Sequence, residues 1–194
     1  FITVLYNTVI NETEASVTKP IEGVSERILS CATEEFLEKG YSDSSLRTIA
    51  AKAGTTTGSI YSRFKDKEGL FAAIVGPVAE YMMNLFVKTQ EEFHAVEPER
   101  QPKEMDDYVI SGMDEMLDYI YDNFTAFQLL LEASYGTKFQ NFVEQLAEVE
   151  AEYTYKFMEV IHFQNDEENE VTGEFIHIMT RALFDSMFEV VRHK

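Results

Sequence analysis

From Ile28 onward the apolar residues of this chain recur three and four apart, and outside the first twenty residues no stretch alternates as a half-buried strand must. That periodicity confines the chain to an all-α fold. Ile28, Leu29, Ala32 and Phe36 share one face of a first helix starting near Ile21, and Gly40 stands where a left-handed residue stops a helix. Ser45 is an expected N-cap for a short helix bearing Leu46, Ile49, Ala50 and Ala53, with Gly54 supplying a turn, and Thr56 for a second bearing Ile60, Tyr61 and Phe64. Asp66 is placed to cap a helix of about six turns or more through Leu70, Ile74, Val78, Tyr81, Leu85 and Phe86, which Pro77 should kink. Residues 97–103, EPERQPK, read as a loop. Beyond it lie stripes at Tyr108, Met113, Met116, Leu117 and Ile120, at Phe127, Leu130 and Leu131, from Phe139 to Phe157, and from Val171 to Val191.

At 194 residues and 45% hydrophobic the chain can bury a core without disulfide or metal staples. Cys31 is the sole cysteine, which excludes an intramolecular disulfide and a multi-thiolate metal site. No stretch is read as approaching the roughly 20 apolar residues of a bilayer span, and no signal-peptide pattern precedes the helices. The expectation is a soluble, cytoplasmic protein with no membrane partner. The first twenty residues read as an arm or a processed end.

Net charge is −19, which taken whole argues against nucleic acid, but its distribution is uneven. Residues 41–70 carry Arg47, Lys52, Arg63, Lys65 and Lys67 against three acids, whereas the 124 residues after 70 hold −17. A small basic island precedes a large acidic body. Within that island SLRTIAAKAGTTTGSIYSRF, residues 45–64, has the two short helices and intervening glycine of a helix-turn-helix, whose second helix enters the major groove of DNA.

Over roughly 45 residues the sequence resembles the TetR family of bacterial transcriptional regulators. The matching positions are Cys31-Ala32, Phe36, Gly40, Ile49-Ala50, Ala53-Gly54, Gly58, Ile60-Tyr61, Phe64, Lys67 and Leu70. The resemblance implies an N-terminal three-helix DNA-binding domain at residues 21–65, followed at 66–194 by a helical ligand-binding and dimerisation domain. Its expected partners are double-stranded operator DNA, a small-molecule effector and a second copy of the chain, with no cofactor and no metal. Hydroxyls of Ser45, Thr56 and Ser59, near helix N-termini, suit phosphate oxygens. Arg47, with the short Thr57, Gly58 and Ser59, is the candidate for base readout. Tyr61 and Lys67 are carried over as phosphate clamps, with Arg63 and Lys65 adding charge. Where family members often have Lys or Arg this chain has Thr57, and its first helix carries Glu22, Glu26, Glu34, Glu35 and Glu38, so weak non-specific binding is expected.

In the acidic body Tyr81, Met82, Met113, Met116, Tyr119, Phe127, Tyr153, Phe175 and Met179 lie on faces that could line a site for a bulky, partly apolar ligand, or form ordinary core. Glu144, Glu148, Glu152 and Lys156 recur every four residues as a solvated face does, and DEENE at 166–170 suits a helix start. Twelve of the twenty-one residues from Val171 to Val191 are apolar, so this helix must be covered on more than one side. Ile176, Leu183, Phe184, Met187, Phe188 and Val191 are its candidate dimer contacts. Catalysis lacks a constellation: His94, His162, His177 and His193 show no HExxH spacing, and no Gly-rich phosphate loop occurs.

Overall fold

A computed structural model describes residues 23–163 and 171–192. The arm, the acidic run at 166–170 and His193 lie outside the described residues. Within them the fold is all-helical: α1 (Val24–Asp43), α2 (Leu46–Lys52), α3 (Thr57–Phe64), α4 (Lys67–His94), α5 (Gln101–Asp122), α6 (Phe124–Glu132), α7 (Phe142–Val160) and α8 (Gly173–Arg192).

The three expected caps close their helices. Ser45 accepts from the Thr48 amide at 3.5 Å, Thr56 from Ser59 at 3.2 Å and Asp66 from Gly69 at 2.6 Å. Each satisfies one of the amides that the first helical turn leaves without a partner. Gly40 takes a positive φ of 71° and interrupts α1 before a last turn at Tyr41–Asp43. One expectation fails. The loop expected at 97–103 ends early, because α5 begins at Gln101 with a proline in its first turn, where the missing amide costs nothing. Pro77 lies inside α4, which continues on both sides of it for 28 residues in all.

Ile28, Ala32 and Phe36 of α1, Ile49 and Ala50 of α2 and Ile60 of α3 are buried together with Leu70 and Phe71 of α4. Each large side chain so buried contributes about 1.5–3 kcal/mol. Cys31, expected on the inner face, is half-buried beside this core. Phe71 carries the packing onward. Its ring stands edge-on to Phe36 at 5.1 Å and to Tyr41 at 5.4 Å, and lies 6.3 Å from Phe139.

α4 is the central helix, packed by α1, α3, α5, α6 and α7. By length and composition it is apolar enough to cross a bilayer, contrary to the expectation that no stretch approaches this. Its apolarity has another use, since Val75, Met82, Leu85 and Phe86 are buried against those neighbours. α7 and α8 pair closely, and Arg181 of α8 reaches Glu144 of α7 at 2.8 Å.

Candidate nucleic-acid interface and effector cavity

The α2–turn–α3 unit is held by its caps, by Ile49, Ala50 and Ile60 in the core, and by Glu35. The Glu35 carboxylate is buried, and accepts from the Ser45 amide at 3.4 Å and from Lys52 Nζ at 3.2 Å. One α1 side chain thus grips both ends of α2. Counted among the acids that weaken the DNA-facing surface, Glu35 instead faces inward and consumes Lys52. The signal was available in its spacing, seven residues after Ile28 and one before Phe36 on the apolar phase.

Arg47 and Gly58 are exposed, Thr57 and Ser59 half-exposed, and Tyr61 is 53% exposed. Together they leave the leading turn of α3 low in profile between two long side chains. The capping hydroxyls of Ser45 and Thr56 act as acceptors, which leaves their protons to donate outward. Three donors of this surface are already engaged within the subunit. The Ser59 amide is used by the Thr56 cap. Arg63 donates to Ser59 Oγ at 2.7 Å and to its carbonyl at 3.2 Å, folding back along α3. Lys67 donates to the Ser42 carbonyl at 3.1 Å and lies 4.7 Å over the Tyr41 ring. Burial there holds the Lys67 ammonium below the usual lysine range, against the attraction of Asp43. Lys65, by contrast, is exposed at the α3–α4 junction.

A second feature lies at the far end of α4. A cavity of about 240 Å³ opens between α4, α5, α7 and α8. Of the nine residues expected to hold a ligand, Met113, Met116 and Tyr153 line it. Met82 and Phe127 do not, being fully buried core, and Tyr81 stacks on Tyr119 at 4.1 Å while Tyr119 meets Phe127 edge-on. Phe175 and Met179 are more than half exposed on the outer face of α8. The lining residues that the sequence did not single out include Phe93, Tyr108, Phe157, Gln90, His94 and Glu150. Burial pushes the Glu150 carboxyl above its ordinary range, opposed by hydrogen bonds from Thr154 and from Gln90, whose amide is 2.5 Å away. Burial, helped by the charge of Lys156, holds His94 below its usual value. Among the described residues no group of three or more His, Cys, Asp and Glu is placed to hold a metal ion.

α8 has two apolar faces, and the expected dimer contacts fall mostly on the inward one. Ile176, Phe184, Met187, Phe188 and Val191 are buried within the subunit, where Phe184 meets Phe86 edge-on and Phe188 lies near Phe127 and Phe142. Leu183, 47% exposed, stands at the rim of the cavity and borders Phe175, Ile178 and Met179, which the subunit leaves exposed. At positions i, i+3, i+4 and i+8, Phe175, Ile178, Met179 and Leu183 form a largely exposed apolar stripe along two turns of helix.

Residues 28–74 match the family profile described as bacterial regulatory proteins, tetR family. The HTH-type transcriptional repressor BepR of Brucella suis biovar 1 (strain 1330) is 47% identical over 51 residues, 26% of this chain and 24% of that protein. The HTH-type transcriptional regulator AcrR of Shigella flexneri is 47% identical over 49 residues, 25% and 23% of the two chains. The matched stretch thus spans about a quarter of the length of these curated relatives. The fold as a whole is similar to the TetR family transcriptional regulator PfmR from Thermus thermophilus, with a TM-score of 0.56 at 20% identity over 86% of this chain and 85% of that one.

Proposed function

We propose, for a chain that belongs to the tetR family of bacterial regulatory proteins, that it represses transcription as a homodimer on a palindromic operator and is released by a small molecule. The observation that carries this reading is the surface of α3: Thr57 and Gly58 lead it, Arg47 and Tyr61 stand exposed on either side, and the family profile covers the whole unit. Small residues at that turn let the helix approach base edges, and the flanking donors supply readout and phosphate grip. Residues 21–65 are then the DNA-binding domain and 66–194 the ligand-binding and dimerisation domain.

Two protomers meet through the outer stripe of α8, Phe175, Ile178, Met179 and Leu183, which is apolar and uncovered by its own subunit. Dimer symmetry places two recognition helices in successive major grooves, about 34–36 Å apart. Support for ligand release comes from how α4 is tied at both ends. Near one end Leu70 and Phe71 lie in the core shared with α1, and near the other Phe86, Gln90 and Phe93 line the cavity. Leu70 and Gln90 stand twenty residues apart on α4, about 30 Å at 1.5 Å each. The end of α1 is fastened to the body as well, because the Tyr41 amide donates to the Ala133 carbonyl at 3.0 Å and Ser42 Oγ to the Tyr135 carbonyl at 3.2 Å. A ligand that shifts α4 relative to α6 therefore changes the spacing of the recognition helices and the population able to bind DNA.

Replacing Arg47 and Tyr61 by Ala tests the DNA-facing assignment. The expected result is loss of duplex binding with an unchanged circular-dichroism spectrum and urea midpoint; unchanged binding refutes the assignment.

A further inference from the structure

We propose that the cavity between α4, α5, α7 and α8 takes a small amphipathic organic cation, with its charge on the Glu150 carboxylate and its apolar part against the surrounding aromatic rings. This rests on the reading of that cavity as the effector site and names the chemistry of the effector.

The lining decides the sign of the charge. It contains neither Lys nor Arg, and Glu150 is its single acidic side chain. The partners of that carboxylate are the neutral Gln90 and Thr154. Lys156, six residues further along α7, lies 4.1 Å over the Tyr153 ring but spends its charge on Glu152 at 2.7 Å. His94 is held below its usual value and stays neutral, so it adds no competing positive charge near pH 7. A carboxylate half-withdrawn from water without a counter-charge is costly to keep, and a bound cation relieves that cost. An anionic ligand meets like charge there.

The walls point the same way. Phe93 has Tyr108 and Phe157 at 5.5 and 5.6 Å, and His94 has Tyr153 at 5.2 Å. Rings clustered around one carboxylate attract a desolvated cation through their negative faces. The cavity's 240 Å³ is below the roughly 300–1,000 Å³ of drug-sized pockets, which restricts the ligand to about one ring and a cationic head. The net −17 carried by residues 71–194 concentrates cations around the mouth.

The test uses the full chain and a pair of probes of one shape, 3-hydroxyphenyltrimethylammonium and the neutral 3-tert-butylphenol, titrated by calorimetry. The cation is expected to bind about tenfold or more tightly than the neutral probe, a preference that Glu150→Gln abolishes, given what charge-assisted and cation–π contacts are worth. Glu148→Gln, which removes the same charge from an exposed position of α7, should leave both affinities within about twofold. Equal affinity for the two probes, no binding of the cation, a preference that survives Glu150→Gln, or an equal loss in Glu148→Gln each overturns the proposal. DNA release is read separately by adding the cation to a protein–duplex complex. Glu150-dependent binding that leaves DNA affinity unchanged upholds the cation site and refutes its role as the effector site.

Discussion

Gly58→Ala separates a glycine kept for DNA from a glycine kept for the fold. A Cβ built at Gly58 meets only Thr56 Oγ1, at 3.7 Å, an ordinary contact, and the residue is exposed in the first turn of α3. Nothing in the subunit needs glycine there. Alanine is preferred in helices by up to about 1 kcal/mol, and part of that gain comes from restricting the unfolded chain. The variant should therefore be more stable by about 0.5–1 kcal/mol, and for a chain of this size its Tm should rise by about 1–4 °C. Urea unfolding should show a higher midpoint at constant slope. On operator DNA the added methyl stands where α3 must approach the groove floor, and one lost base contact costs about 1–3 kcal/mol. Affinity should fall about tenfold or more, which fluorescence anisotropy measures directly. A variant that binds as tightly as the parent refutes the placement of this turn in the groove. One that unfolds at lower urea refutes the claim that the fold has no use for the glycine.

Gly69→Ala should behave oppositely: its Cβ would collide with the Phe64 carbonyl oxygen, so backbone must move at the α3–α4 joint, and urea unfolding should register a loss of about 1–3 kcal/mol or more. Ile178→Glu places a charge in the middle of the exposed α8 stripe, and sedimentation at micromolar concentration should find the parent as a dimer and the variant as a monomer; a variant that persists as a dimer puts the interface elsewhere. The raised Glu150 carboxyl gives a pH signature. The folded state holds its proton more tightly than the unfolded state, so stability is lost as pH rises from 4.5 through the folded value and stays lost above it. Glu150→Gln should accordingly be more stable than the parent at pH 7, an advantage that disappears below about pH 4.5; a difference independent of pH contradicts that account.

The local structure of the DNA-facing unit was legible because its signals are local. Ser45, Thr56 and Asp66 each cap the helix that begins one residue later, and a cap needs no knowledge of the rest of the chain. The faces of α8 were not legible. Apolar residues occupy both sides, and sequence cannot say that Phe184 and Phe188 pack inward while Ile178 and Leu183 are left uncovered. The cavity was read in part for the same reason. Met113, Met116 and Tyr153 carry the right chemistry, but which of many Met and aromatic residues converge depends on how α4, α5 and α7 cross. Glu150 was overlooked beside the four-residue repeat of Glu144, Glu148 and Glu152, although it stands four residues after the buried Leu146 and three before Tyr153, on the inward phase. Lys67 was a cation of the right reach whose tie to Ser42 and Tyr41 only the corner between α1 and α2 reveals.

The central claim, that this chain reads an operator as a dimer, is tested most directly by anisotropy of the purified protein on labelled duplex from upstream of its own gene against shuffled duplex across a salt series. The account predicts saturable binding to the upstream duplex at two protomers per site, with weak and steeply salt-dependent binding to the shuffled one. Equal affinity for both duplexes at physiological salt, or saturation by a single protomer, would contradict it.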